Sequence, residues 1–145
     1  MPIDDLKRVN ITYRTDARPD SALIAALYRA SPLYRPVDDL ARIAAMYAGS
    51  NVVLTAFEGD ELVGILRGWT DGAYDGYVCD MAVLPDYQKQ GVGRRLLEMC
   101  TAMDERIQWV LRASKIATDY YRHLGWEKIE NGWGWKRKPW PGQPK

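Results

Sequence analysis

The stretch of sequence that decides the fold covers residues 80–97 and reads DMAVLPDYQKQGVGRRLL. Its first five residues are apolar apart from Asp80, and Pro85 ends the apolar run, which predicts a buried strand. After Gly91 and Gly93, apolar residues recur at helical spacing, so the next element is predicted to be an amphipathic helix. The sequence therefore predicts a strand, a tight glycine-containing loop and a helix in direct succession.

Residues 88–94, called the glycine loop below, have the chemistry of an anion-binding site. A helix start carries unpaired N–H groups and a partial positive charge, and glycines let the backbone approach a phosphate closely. Lys89, Arg94 and Arg95 add positive charge there. A Walker loop would need Gly-x-x-x-x-Gly-Lys-Ser/Thr, and a dinucleotide-binding loop would need a third glycine in place of Leu96. Neither pattern is present, so the loop belongs to another class of anion site.

Periodicity and turn residues predict the order of the remaining elements. First come a short strand over 11–14 and two helices, one beginning after Asp20 and one near Leu40. Then follow three antiparallel strands over 51–58, 61–69 and 74–83. Beyond the glycine loop and its helix lie a strand over 107–113, a helix over 117–124, and a closing hairpin of strands 126–129 and 133–136 around Asn131-Gly132.

Composition and charge exclude several classes of protein. The chain has 145 residues, which suits one domain, and 20 basic against 19 acidic side chains give a formal net charge of +1. A chain so balanced lacks the overall field that favours nucleic-acid or membrane partners, and we expect neither. Cys79 and Cys100 have no spacing typical of a disulfide framework or zinc site, so no metal is expected. No run approaches 18 apolar residues and residues 1–10 lack an apolar signal segment, which predicts a soluble cytoplasmic protein.

Two motifs carry a resemblance to a known family. The pattern Gln88-x-x-Gly91-x-Gly93 after a strand resembles the pyrophosphate-binding motif of the GNAT superfamily of acetyl-CoA-dependent acetyltransferases. Residues 117–126, ATDYYRHLGW, are similar to the late helix of that superfamily, in which an aromatic-Tyr pair precedes a Gly-aromatic step. The turn and strand over 70–81 resemble a branch that includes small-amine and arylalkylamine acetyltransferases.

The resemblance implies the fold and its limits. It implies a single-domain α/β (α+β) fold, with a mixed, mostly antiparallel sheet of about six to seven strands flanked by about four helices. The acetyltransferase domain is expected over 11–137, after an N-terminal extension of residues 1–10 and before a loose tail of residues 138–145. Members of the superfamily often pair, so a homodimer is one expected assembly.

The resemblance also implies a set of residues for acetyl-CoA, the expected co-substrate. The amides of Met81 to Val83 would bind the pantetheine arm and polarise the thioester, and Tyr121 resembles the tyrosine that protonates the departing thiolate. Ser114 stands where many relatives have an asparagine that contacts the pantetheine arm. The full set of expected cofactor-binding residues is Met81, Ala82, Val83, Gln88, Lys89, Gln90, Gly91, Val92, Gly93, Arg94, Ser114 and Tyr121.

The second catalytic candidate is Asp80, a carboxylate in an otherwise apolar strand, where desolvation would raise its pKa toward that of a working base. The alternative is that Asp80 satisfies backbone donors or an arginine. Regular strand alternation would also put Asp80 on the opposite face from Tyr77, and Tyr77 would then be the better proton relay unless a bulge intervenes. Tyr120 is interpreted as a core residue and His123 as a surface residue.

The predicted function is N-acetyl transfer from acetyl-CoA to a primary amine by direct attack in a ternary complex. A small-molecule amine is the expected acceptor, and the candidate acceptor contacts are Tyr34, Arg35, Trp69, Tyr74 and Tyr77. Three alternatives remain: acetylation of a protein amine, a catalytically silent CoA-binding regulatory module, and nucleic-acid binding through the basic run 136–138.

Overall fold

The computed structural model describes residues 10–114 and 117–143. Most of the predicted N-terminal extension, residues 1–9, and the end of the predicted tail, residues 144–145, lie outside the described residues. The elements in chain order are β1 (Ile11–Arg14), α1 (Ser21–Ala30), α2 (Leu40–Ala48), β2 (Val52–Glu58), β3 (Glu61–Thr70), β4 (Asp75–Val83), α3 (Val92–Thr101), β5 (Gln108–Leu111) and α4 (Thr118–His123). A short 3₁₀ turn, Pro85–Tyr87, connects β4 to the glycine loop.

Helices α1 and α2 begin where aspartates can cap them. The side chain of Asp20 accepts a hydrogen bond from the amide of Leu23 at 2.9 Å, and Asp39 accepts one from Arg42 at 3.0 Å. Each carboxylate satisfies an amide that the helix leaves unpaired at its start. The predicted positions of both helices are confirmed.

Within the described residues, the sheet has five strands in the order β1-β2-β3-β4-β5. The first four pair antiparallel, as the meander predicted for β2 to β4 requires, and β5 pairs parallel with β4 after the α3 crossover. Helices α1 and α2 cover one face of the sheet, where Ile24, Ile43 and Ile65 are buried. Helix α3 covers the other face, where Leu66 and Leu96 are buried. Each sheet face therefore has its own core.

The prediction of six to seven strands is wrong, because the closing hairpin does not form. Residues 126–129 and 133–136 have no strand structure, and Trp133 and Trp135 are 98% and 100% exposed. A two-residue hairpin turn of the Asn-Gly kind needs positive φ at both central residues, and neither Asn131 nor Gly132 has it. The class of fold and the number of α-helices, four in the described residues, agree with the prediction.

No described helix is both long enough and apolar enough to span a membrane.

Candidate active site

Strands β4 and β5 separate part-way along their length. They pair only from Asp75↔Gln108 to Val78↔Leu111, whereas β4 runs on to Val83. Residues 80–83 are therefore paired with β3 on one side and have no strand partner on the other side within the described chain. Backbone amides that point into this gap can donate hydrogen bonds to a ligand. The gap contains the segment Met81 to Val83, which the family resemblance assigned to acetyl-CoA.

A β-bulge at Cys79 marks the start of the gap. Across β3 and β4, Arg67 pairs with Asp80 and the next residue, Gly68, pairs with Val78, so Cys79 is the extra residue. The extra residue resets the alternation of side chains along β4. Val78 packs in the core beneath α3, and Asp80 faces α1 and α2. Regular alternation would have placed Tyr77 and Asp80 on opposite faces of the sheet. Because of the bulge, both lie on the same face.

Asp80 is the centre of a buried polar cluster, called the Asp80 cluster below. Asp80 is only 2% exposed, and its side chain contacts two arginines and a tyrosine. Nε of Arg35 lies 2.6 Å from Oδ1, Nε of Arg67 lies 2.7 Å from Oδ2, and the hydroxyl of Tyr28 donates to Oδ2 at 2.9 Å. Because the Tyr28 proton is used on Asp80, Tyr47 donates its own hydroxyl proton to Tyr28. Both carboxylate oxygens are therefore fully engaged.

The surroundings of Asp80 hold its pKa below the ordinary value. Burial by itself raises the pKa, but the charge of Arg35 and the hydrogen bond and charge of Arg67 together outweigh it. The sequence-based expectation of a raised pKa is wrong, because it considered desolvation without the two guanidinium groups. The same partners match the alternative interpretation, in which Asp80 satisfies an arginine.

The glycine loop leaves the start of α3 open. Gly91 has a φ of 79° and occupies the cap position, where no side chain accepts a hydrogen bond from the helix. Within the described chain, no hydrogen bond engages the amides of Val92, Gly93 and Arg94. This is unlike α1 and α2, whose aspartate caps satisfy such amides. Nε2 of Gln88 donates to the carbonyl of Val83 at 3.1 Å and so ties the loop to the end of β4.

Lys89, Gln90 and Arg94 are exposed around the open helix start. The positive charge of Arg94 is partly compensated by Glu98 on the same helix, with Nε of Arg94 2.9 Å from Oε1 of Glu98. Open amides, a left-handed glycine and surrounding cations are the elements of a phosphate site.

These features agree with a comparison against known families. A family model described as an acetyltransferase (GNAT) domain matches residues 49–128, more than half of the chain. The chain belongs to this family. It is 31% identical over 111 residues to the histone acetyltransferase TAP1 of Glycine max, covering 67% of this chain and 48% of the relative. The chain thus spans about half the length of that curated relative.

Solved structures show the same GNAT fold. A probable acetyltransferase of unknown function from Staphylococcus aureus superposes with a TM-score of 0.74 at 20% identity, covering 90% of this chain and 99% of that chain. The structure of AAC(6′)-Iy in complex with the bisubstrate analog CoA-S-monomethyl-acetylneamine superposes with a TM-score of 0.65 at 14% identity, covering 90% and 99%.

The two tyrosines of α4, Tyr120 and Tyr121, have different surroundings. Tyr121 packs partly into the core, with its ring 6.0 Å from the ring of Trp126, and burial raises its pKa to about 12. The interpretation of Tyr120 as a core residue is wrong, because it is 38% exposed. A methyl group placed on Gly93 would lie 3.3 Å from the Tyr120 hydroxyl. Sequence spacing could not show that this hydroxyl adjoins the glycine loop.

Ser114 and His123 complete the predicted positions near this helix. Ser114 is exposed, and its carbonyl accepts a hydrogen bond from the amide of Ala117 at 3.0 Å. His123 is exposed at the end of α4, as predicted.

The predicted acceptor contacts are only partly brought together. Arg35 joins the Asp80 cluster, and Trp69 and Tyr77 stand directly opposite each other on β3 and β4. Tyr34 and Tyr74 are exposed, and the carbonyl of Tyr34 accepts a hydrogen bond from Arg35 at 2.7 Å. Sequence reasoning missed Arg67, Tyr28 and Tyr47 of the Asp80 cluster, although a lone arginine within an apolar strand was a signal for Arg67.

Proposed function

We propose that this GNAT protein is an N-acetyltransferase that moves the acetyl group of acetyl-CoA to a primary amine by direct attack in a ternary complex. The observation that carries the proposal is the continuity of two open backbone surfaces. The gap beside residues 79–83 leads through the Gln88 contact into the uncapped start of α3. A long ligand with an anionic end and an amide-containing arm fits such a continuous surface.

The residues present fit the pyrophosphate of CoA. A side chain at Gly91 would be strained at its positive φ, and nothing lies within 4 Å of where that side chain would begin, so the space above the loop is open. The amides of Val92, Gly93 and Arg94 would hold the phosphates, with Lys89 and Gln90 beside them. The AAC(6′)-Iy complex, which shares the fold, contains a CoA-based bisubstrate analog and supports this assignment.

When bound, acetyl-CoA supplies an acetyl group as a thioester. Those amides of the segment Met81 to Val83 that point into the gap would hold the pantetheine arm and donate to the thioester carbonyl, where negative charge develops during attack. Ser114 is the proposed further contact to the arm. These backbone donors are fixed by the pairing of β4 with β3, so they need no rearrangement as charge develops.

The amine must lose a proton before it attacks. With a lysine-like pKa of about 10.4, only about 0.04% of it is neutral at pH 7, which costs about 4–5 kcal/mol. We propose that Asp80 is not the base, because its lowered pKa and occupied oxygens leave it no capacity to take a proton. We propose that Arg35 and Arg67 instead lower the pKa of a nearby ammonium, and that water beside Tyr77 relays its proton to bulk solvent.

The departing thiolate needs a hydrogen-bond donor. Tyr121 is proposed for this role, and its pKa of about 12 keeps the hydroxyl protonated at neutral pH. A thiol comparable to cysteine has a pKa of about 8.5, so the Tyr121 hydroxyl stabilises the thiolate as a donor without losing its proton. Tyr120 is proposed to contact the cofactor near Gly93.

The first test is thermal unfolding with and without acetyl-CoA, followed by free-thiol release with a panel of acceptors. Binding at a hundred times its Kd stabilises the native state by about 2.7 kcal/mol, which raises Tm by several degrees for a domain of this size. No rise in Tm would overturn the proposal. A rise without thiol release from any acceptor would instead support the silent CoA-binding module.

The panel should contain both small amines and a lysine-containing peptide. The Glycine max relative is named a histone acetyltransferase, which motivates the peptide. Transfer to small amines but not to the peptide would support the small-molecule assignment, and the converse result would replace it with a protein amine.

A further inference from the structure

We infer that the acceptor amine carries a carboxylate group that binds beside Arg35 and Arg67, while its apolar part rests on Trp69 and Tyr77. This inference rests on the proposed acetyl transfer and specifies its substrate as a small amino acid rather than a simple amine or a basic peptide.

The Asp80 cluster contains more positive charge than negative. Asp80 is one carboxylate, and it is shared between the guanidinium groups of Arg35 and Arg67. The adjoining Cys79 thiol stays neutral, because burial raises its pKa. Arg18 binds the nearby carbonyls of Tyr47 and Ser50 and adds a third cation. A buried or half-buried region with surplus positive charge attracts an anion.

Acidic residues on the neighbouring loop do not cancel this surplus. Asp38 pairs with Arg29 at 3.0 Å, and both side chains are largely exposed to water. Asp39 is exposed and accepts the amide of Arg42 at the start of α2. Their charges are compensated or screened before they reach the cluster.

One guanidinium edge in the cluster remains available. Arg67 uses Nε on Asp80 and Nη1 on the Ser50 hydroxyl at 3.2 Å, while its Nη2 has no hydrogen-bond partner among the described residues. The side chain of Arg67 is 15% exposed and that of Arg35 is 28% exposed. Guanidinium groups bind carboxylates through such planar N–H edges.

An exposed aromatic pair adjoins these arginines on the same face of the sheet. Trp69 follows Arg67 by two residues on β3, so their side chains share a face. Tyr77 stands opposite Trp69, and Asp80 stands opposite Arg67. The two pairs are separated by about 7 Å along β3, which is the spacing of two residues in a strand. Trp69 and Tyr77 are exposed, although the neighbouring pair is covered by α1 and α2.

This arrangement selects among amines by charge. A carboxylate gains a charge-assisted hydrogen bond from the open edge of Arg67 and attraction from the surplus positive charge, and an apolar group on the same molecule gains contact with the aromatic pair. A basic peptide gains neither and is repelled by the surplus charge. The same charge favours the neutral form of the attacking amine, since it disfavours an ammonium.

The experiment compares amines that differ only by a carboxylate. Phenethylamine is paired with phenylalanine and tyramine with tyrosine, and kcat/KM is measured by free-thiol release from acetyl-CoA with the unaltered protein. We expect each amino acid to exceed its partner by about tenfold or more, the effect of one charge-assisted hydrogen bond. Equal rates, or faster reaction of the carboxylate-free amines, would overturn the inference and leave acetyl transfer standing. Absence of thiol release with every acceptor would overturn both.

A substitution then tests whether the Asp80 cluster causes the preference for carboxylate-containing amines. Arg35→Gln leaves Asp80 paired with Arg67 and Tyr28, so it removes one positive charge without isolating the buried carboxylate. The ratio of kcat/KM between each amino acid and its partner amine should fall by about tenfold. Arg42→Gln, an exposed position on α2, is the matched control and should leave the ratio unchanged. An unchanged ratio in Arg35→Gln would show that the carboxylate binds elsewhere. If that variant does not fold, the paired amines still decide the question.

Discussion

Arg67 and Asp80 face each other across β3 and β4, with Nε of the arginine 2.7 Å from Oδ2 of the aspartate, and the bulge at Cys79 lies directly beside them. Without that extra residue, Asp80 would point into the core beneath α3. The bulge therefore lies where the gap proposed for acetyl-CoA begins, and it turns a buried carboxylate toward two arginines.

The first prediction concerns the stability that Asp80 provides. Asp80→Asn should lower the free energy of unfolding by about 3 kcal/mol or more, because two half-buried guanidinium groups lose their counter-charge. Denaturant unfolding monitored by tryptophan fluorescence measures the change. Asp38→Asn removes a carboxylate from the exposed pair with Arg29 and should have little effect. Equal effects of the two substitutions would contradict the structural importance of the Asp80 cluster.

The second prediction is the pH dependence of that stability. Because the pKa of Asp80 is lowered in the folded state, its contribution is present above the unfolded pKa of about 3.9 and is lost as pH falls through the folded value. The difference in unfolding free energy between the unaltered protein and Asp80→Asn should therefore be constant near neutral pH and shrink below about pH 4. A difference that shrinks near pH 6 or 7 would show a raised pKa and restore Asp80 as a base.

The third prediction tests the glycine loop. Gly91→Ala should cost about 1–2 kcal/mol of stability, because a side chain is disfavoured at positive φ, and it should also weaken acetyl-CoA binding. Gly59, in the β2–β3 turn, has a φ of 59° and equally open surroundings. Gly59→Ala should cause a similar loss of stability with unchanged acetyl-CoA affinity, measured by calorimetry. Equal affinities in the two variants would remove the glycine loop from the binding site.

The fourth prediction separates the two tyrosines of α4. Tyr121→Phe should lower kcat for acetyl transfer with little change in KM for acetyl-CoA, because it removes the donor to the departing thiolate. Tyr120→Phe should mainly raise KM for acetyl-CoA, because its hydroxyl adjoins Gly93. Steady-state kinetics with a good acceptor distinguishes the two effects. The reverse pattern would exchange the roles of the tyrosines.

Local patterns in the sequence were sufficient for much of the fold. The capping aspartates Asp20 and Asp39, the meander turns and the change from strand to helical spacing after Gly91 each depend on residues a few positions apart. The failed hairpin at Asn131-Gly132 shows the limit of such signals. A turn sequence permits positive φ but does not impose it when the flanking segments gain no sheet partner.

The sequence by itself determined the family, the glycine loop and the position of the strand that carries Asp80, because these are encoded in short motifs with fixed spacing. The tertiary structure alone decided the state of Asp80. Its partners Arg67, Arg35 and Tyr28 lie 13, 45 and 52 residues away in the chain, and the bulge at Cys79 decides which face it occupies. A pKa depends on every charge within a few ångströms, and only the folded chain brings those charges together.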